Sequence, residues 1–129
     1  AKAERAQIDF TYKIDVPAEF EQAKDFGFAT MLSNLLENAF IAVCKVPDSQ
    51  ERKVSVRIEP KKEQLIIEIR NNYFGKLDIS RETGLPVTDK ADGHGYGLVS
   101  VSNYARKSGA LLKFRPEGQL LVVQYITNL

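Results

Sequence analysis

The sequence predicts an α+β domain of two layers, a mixed sheet with its helices packed on one face. Three observations carry that expectation. Five short segments alternate apolar and polar residues, two longer segments repeat apolar residues every three to four positions, and they run in the order strand, helix, hairpin, loop, helix, hairpin. A sheet covered on one side by helices is the simplest way to bury all of these faces.

The first strand spans Gln7 to Ile14, with Ile8, Phe10, Tyr12 and Ile14 on one face. Pro17 opens a short connection with helical character. A strong helical pattern then runs from Phe26 to Lys45, where Phe28, Leu32, Leu35, Leu36, Ala39 and Val43 make one apolar stripe and Pro47 stops it. Lys53 to Glu59 and Leu65 to Asn71 alternate again and read as a hairpin around the polar turn Pro60-Lys61-Lys62-Glu63. Residues 72–92 follow neither period and read as a long loop. A second helix runs from Leu98 to Lys107, with Arg106 and Lys107 in its last turn and Gly109 as its stop. Ala110 to Phe114 and Gln119 to Ile126 close the chain as a hairpin around Pro116-Glu117-Gly118.

Composition bounds the function classes. At 129 residues, 43% of them apolar and 27% charged, the chain suits one globular domain, residues 1–129. A net charge of +1 gives no electrostatic case for nucleic acid or for an anionic membrane. Cys44 is the sole cysteine, so no internal disulfide forms, which fits a reducing cytoplasm. No apolar run approaches transmembrane length in the sequence. The chain starts at Ala1, which fits a piece of something longer.

Three constellations carry chemistry. The first is Asn34-Leu35-Leu36-Glu37-Asn38-Ala39. Asn34 and Asn38 lie one turn apart, off the apolar stripe, and each costs several tenths of a kcal/mol, about 0.5, against Ala in a helix. Amide oxygens are hard ligands that suit Mg²⁺. Taken alone, a solvated polar face explains the pair more simply, although Ile41 on the same side argues against plain exposure. The second is Leu65-Ile66-Ile67-Glu68-Ile69-Arg70-Asn71. Asn71 follows Leu65, Ile67 and Ile69 onto the face that should be buried, where an amide needs partners and can read an adenine edge. The plainer account ends the strand at Arg70. The third is Gly93-His94-Gly95-Tyr96-Gly97-Leu98 at the start of the second helix. Glycines there let backbone N–H groups close on phosphate oxygens. A dinucleotide fingerprint fails in spacing, and neither a P-loop nor a protein-kinase signature set is present.

Together these three resemble the boxes of the GHKL ATPase superfamily. Within it the chain looks like the catalytic ATP-binding domain of a sensor histidine kinase, of the quorum-sensing or peptide-pheromone type. The resemblance implies a Bergerat-type fold. It assigns the first constellation to the N box, Asn71 to Gly75 to the first glycine box, Gly93 to Leu98 to the second, and residues 72–92 to a mobile ATP lid. By it, Asn38 holds Mg²⁺, with Asn34 beside it, Asn71 reads adenine, and the backbones of Gly93, His94, Gly95, Tyr96, Gly97 and Leu98 cradle the triphosphate of ATP. Ile41 stands where many relatives have a basic residue, so Lys90 or His94 is expected to cover the phosphates instead. Asn34 stands where the ATP-hydrolysing members carry a Glu base, which favours phosphotransfer over hydrolysis.

His94 is the only histidine, and it lies in the glycine run. The resemblance therefore implies a donor half that acts on a histidine of a separate helical dimerisation and phosphoacceptor domain, with a response regulator downstream and a cytoplasmic location. Residues 1–6 fit the tail of a linker from those helices. No nucleic acid and no membrane contact are expected of this domain. An anti-sigma-factor-like serine kinase of the same superfamily is one alternative, and a non-catalytic nucleotide-dependent interaction module is another.

Overall fold

The structure, a computed structural model, describes residues 7–87 and 95–129. Five strands, β1 (Asp9–Ile14), β2 (Lys53–Lys61), β3 (Gln64–Asn72), β4 (Leu111–Glu117) and β5 (Leu120–Asn128), form one sheet in the order β1-β2-β3-β5-β4. β1 runs parallel to β2, and the other neighbours are antiparallel, so the sheet is mixed as expected. Two helices, α1 (Phe26–Cys44) and α2 (Gly95–Lys107), cover one face, and a 3₁₀ turn, Glu21–Lys24, supplies the helical character after Pro17.

The core lies between these layers. Val54, Val56, Ile58, Leu65, Ile67, Ile69, Leu121, Val123 and Tyr125 rise from the sheet. Phe28, Met31, Leu35, Ala39 and Val43 descend from α1, and Leu98, Val101 and Ala105 from α2. Each large apolar side chain removed from water in this way contributes about 1.5–3 kcal/mol before entropy is counted. Met31 belongs to the stripe although the sequence reading omitted it, while Leu32 and Leu36 sit at its half-buried margin. Asp25 caps α1 by accepting from the Gly27 N–H at 3.0 Å. Gly109, at φ 71°, ends α2.

Several elements differ from expectation. Gln7, at φ 55°, lies outside β1, which begins at Asp9. Phe10, Tyr12 and Ile14 share a face with Val54, Val56 and Ile58, but at the sheet edge they pass beyond the helical cover and stay exposed. β2 continues through Pro60, and the hairpin turns at Lys62, φ 59°. The missing Pro60 N–H costs no bond, because it faces the side where β1 has already ended. α2 begins at Gly95, three residues before the expected Leu98.

Residues 73–87 are more structured than a plain loop. Ile79 bridges Pro86, the Ser80 hydroxyl accepts from the N–H groups of Glu82 and Thr83, and Leu77, Ile79 and Leu85 pack on the core. α1 is, at 19 residues, long and apolar enough by length and composition to cross a membrane, contrary to the sequence reading. Here its apolar stripe is a core face against the sheet.

Candidate functional site

β3 carries its alternation one step further than an all-apolar strand would. Leu65, Ile67 and Ile69 are followed on the same face by Asn71, which is 1% exposed between Val54 of β2 and Leu121 of β5. The strand therefore does not end at Arg70. The Asn71 Nδ2 donates to the Asn72 carbonyl at 3.1 Å. Its Oδ1 accepts from nothing, and it is the one buried side-chain polar atom without a partner among the described residues. Such an atom costs about 1–3 kcal/mol of desolvation. Rotating the amide would not relieve it, because Oδ1 would then oppose the Asn72 carbonyl.

α1 passes over this end of the sheet. Phe40 packs on Phe10 with the rings tilted by 48° and their centroids 5.5 Å apart, and Phe10, Val54, Asn71 and Leu121 lie in one row across four strands. Asn34 and Asn38 are both half-buried, and their side chains bond to no described residue. Gly97 packs on Asn34 so closely that a Cβ there would lie 3.7 Å from its Cγ. The start of α2 thus meets the middle of α1.

The other ends of the two helices also meet, so they run antiparallel. A Cβ on Gly27 would lie 2.9 Å from Cε1 of Tyr104. The Tyr104 hydroxyl donates to Asp25 Oδ2 at 3.1 Å, and Asp25 in turn holds the start of α1. Beneath them the Tyr125 hydroxyl donates to Gln22 Oε1 at 2.9 Å, and Gln22 Nε2 donates to Thr127 Oγ1 at 2.8 Å. Burial pushes the Tyr125 hydroxyl up to about 12, and burial likewise raises Tyr104, helped by the Asp25 carboxylate. The sequence reading missed these residues. Only Asp25 left a signal, as a capping residue ahead of the apolar stripe.

At the start of α2, the backbone N–H groups of Gly95, Tyr96, Gly97 and Leu98 belong to the first helical turn and lack intrahelical acceptors. With the positive end of the helix dipole they suit an anion. The Leu98 side chain is core, so only its backbone is available to a ligand. Gly75, at φ 83°, has open space around it after β3. Lys90, Gly93 and His94 lie outside the described residues, as does the last part of the expected lid. No group of three or more acidic, His or Cys side chains that could hold a metal occurs among the described residues. The Asn38 amide oxygen is a hard donor of the kind Mg²⁺ takes.

A cavity of about 380 Å³ opens on the opposite face of the sheet, lined by Thr11, Lys13, Ser55, Arg57, Glu68 and Arg70 among others. Burial there acts to raise the Glu68 carboxyl, but hydrogen bonds from Gln124 and Arg70 and the charges of Arg70 and Arg57 hold it below its usual value. Glu68, its acidic group, is paired with Arg70 and accepts from Gln124. The unpartnered amides lie on the helix side, and the site is placed there.

The sheet and the antiparallel helix pair define a two-layer domain with a glycine-led helix start packed on Asn34 and a buried, unpartnered amide at one end of the sheet. The chain belongs to the GHKL domain family, whose description matches residues 24–127. Its fold is that of histidine kinase catalytic domains. The catalytic domain of histidine kinase ThkA superposes with a TM-score of 0.72 at 19% identity, over 98% of this chain and 82% of that one. The histidine kinase domain of a blue-light activated kinase from Erythrobacter litoralis EL346 gives 0.67 at 20% identity, over 99% and 56%. Full-length ShkA in complex with AMPPNP gives 0.72 at 16% identity, over 98% of this chain and 26% of that one. No curated protein sequence matches the chain.

Proposed function

We propose that this chain is the Mg²⁺–ATP-binding catalytic domain of a two-component sensor histidine kinase. In this reading it transfers the γ-phosphate to a histidine on a separate helical dimerisation domain. The observation that carries it is the buried, unpartnered Oδ1 of Asn71, an acceptor that the adenine amino group would satisfy. Membership of the GHKL family and the AMPPNP-bound ShkA structure support a nucleotide as the ligand.

The residues present fit that ligand. Asn71 would accept from the base. The N–H groups at the start of α2 would hold phosphate oxygens, and Asn38 would share Mg²⁺ with those oxygens and water. Mg²⁺ would supply neutralisation of phosphate charge. The chain's own work is then positioning and fixed hydrogen bonding, which is most of what phosphoryl transfer asks of a protein. His94 is the only histidine, and a residue in the cradle cannot attack from the side opposite the leaving oxygen. The acceptor therefore comes from the partner domain, and a response regulator would receive the phosphate afterwards. The amide at Asn71 and the G-H-G-Y-G-L run favour the peptide-pheromone type, acting in the cytoplasm. The lid expected at residues 72–92 would begin just after Asn72, which ends β3, with protection of Lys76, Arg81 or Lys90 from limited proteolysis by an ATP analogue as its sign.

The test has two arms. Calorimetric titration with ATP and GTP, with and without Mg²⁺, should show Mg²⁺-dependent binding that prefers ATP. Radiolabelled ATP should then label a histidine domain supplied in trans with acid-labile phosphate and leave this chain unlabelled. Acid-stable label would identify a serine kinase. Binding without transfer to a verified partner would identify a nucleotide-dependent interaction module.

A further inference from the structure

The two edges of the sheet are finished differently. β4 is blunted by Pro116, which has no N–H, and by the charges of Lys113 and Arg115. β1 carries no proline, and every one of its residues is exposed. In a parallel pair, alternate residues of a strand bond to its neighbour. The Asp9 N–H donates to the Arg52 carbonyl at 2.8 Å and the Asp15 N–H to the Ile58 carbonyl at 2.7 Å, so the odd-numbered residues face β2. The N–H and C=O groups of Phe10, Tyr12 and Ile14 therefore point off the sheet, where no described strand meets them. The helical cover stops short of this edge. α1 packs over β2 and β3, and its Phe40 reaches Phe10, while Tyr12 and Ile14 stay 67% and 57% exposed. An apolar edge with unpaired backbone is a template for another strand.

The strand that fits best is a second copy of β1. Laid antiparallel about Thr11, the sequence sets Asp9 against Lys13 of the second copy, Phe10 against Tyr12, and Thr11 against Thr11. Phe10 and Tyr12 point their backbone outward, so they make the hydrogen-bonded pairs, and their rings gather on the helix side beside Phe40. Asp9, Thr11 and Lys13 make the closer, non-hydrogen-bonded pairs on the open face, where opposite charges and paired threonines favour association. Neighbouring registers lose this match. Centring on Tyr12 sets Asp9 against Asp15, and centring on Phe10 sets Lys13 against Gln7. Within its own chain Lys13 meets Glu59 at 3.6 Å in an exposed ion pair, which holds the ammonium loosely. We propose that β1 is a self-complementary interface through which two copies of this chain associate about a two-fold axis at Thr11, joining two five-stranded sheets into one. The inference is independent of the nucleotide reading of the site.

The experiment is sedimentation of the chain at rising concentration, with thermal unfolding run alongside. The interface is small, so the wild-type dimer should be weak, with a dissociation constant on the order of 100 μM. Asp9→Lys and Lys13→Asp each set like charges together at both ends of the strand pair, and each should weaken association roughly ten-fold or more. An equimolar mixture of these two variants restores opposite charges at both ends and should recover association. Tyr12→Pro removes an outward N–H that β2 does not use, and should abolish association while β1 stays paired to β2. Should Tyr12→Pro unfold, the two charge reversals, both at exposed positions, and their mixture decide. A wild-type chain that stays monomeric to about 1 mM, ten-fold above that constant, would overturn the proposal and leave the edge to a strand of another protein. Association that survives both reversals, or reversed chains that do not recover on mixing, would overturn it as well.

Discussion

The two ends of the helix pair are built on opposite terms. At one end, Gln22, Asp25, Tyr104, Tyr125 and Thr127 bond to one another across the 3₁₀ turn, α1, α2 and β5. At the other, Asn34 and Asn38 bond to no described residue and Asn71 keeps a buried oxygen unpaired. Both ends lie under the same two helices and over the same sheet. The closed end stabilises the fold. The open end gives up stability where a ligand can complete the bonding, which is the pattern expected when local rules fail at a functional site. The closed end also fixes the antiparallel setting of α2 on α1, and so places the start of α2 over Asn34.

The comparison breaks most sharply at Asn38. Replacing it by Ala should abolish transfer to a histidine domain supplied in trans and weaken Mg²⁺–ATP binding. Thermal unfolding should stay level or rise slightly, because Ala is the better helix former by about 0.5 kcal/mol. Transfer that persists in a folded Asn38→Ala chain would place this residue with the closed end. Asn71→Ala should come next, lowering ATP affinity by roughly 100-fold, the upper range for one buried hydrogen bond, with little loss of stability since an orphaned acceptor is removed. A stability loss larger than the affinity loss would mean that Asn71 is held by contacts that matter to the fold.

These expectations were partly legible before the structure. Alternation along Leu65, Ile67 and Ile69 placed Asn71 on the buried face, because a strand's period of two leaves no freedom once three partners are buried. The α1 stripe was legible for the same reason at period 3.6. The closed end was not, because Gln22, Tyr104 and Tyr125 are far apart in the chain and their bonds depend on the tertiary setting of α2. Nor was the start of α2 at Gly95, since glycine's low helix propensity hides a helix that packing imposes. The turn within 73–87 was hidden because it depends on hydroxyl–backbone bonds from Ser80 and on the Ile79–Pro86 bridge.

Tyr125 sharpens the comparison from the closed side. Tyr125→Phe should cost about 1 kcal/mol of stability, one buried hydrogen bond, and leave ATP affinity unchanged. The wild type carries a pH signature as well. The folded Tyr125 hydroxyl is raised to about 12, above the value of about 10 in an unfolded chain. The folded state therefore holds its proton more tightly, and the stability this gives is complete below about pH 10 and lost as pH rises toward 12. Denaturant midpoints across that window should fall in the wild type and fall less in Tyr125→Phe.

The smallest effects come from two glycines that differ only in what faces them. Gly27 and Gly97 both sit early in a helix, and Ala should favour either helix by up to about 1 kcal/mol. At Gly27 a methyl would meet the Tyr104 ring at 2.9 Å, and that ring is fixed by its bond to Asp25 and its stacking on Tyr125. The overpacking cost, about 1–3 kcal/mol, should exceed the propensity gain, so Gly27→Ala should lower the melting temperature. At Gly97 the same methyl would lie 3.7 Å from Asn34 Cγ, an ordinary contact with a side chain that bonds to no described residue. Gly97→Ala should therefore raise the melting temperature slightly. It should also cost a few-fold in ATP affinity, because the methyl stands between the helix start and Asn34, in the space the phosphates would share. Matched unfolding curves and ATP titrations on the two variants are the measurement. If Gly97→Ala destabilises as Gly27→Ala does, the open end is packed as tightly as the closed one, and the contrast between them fails.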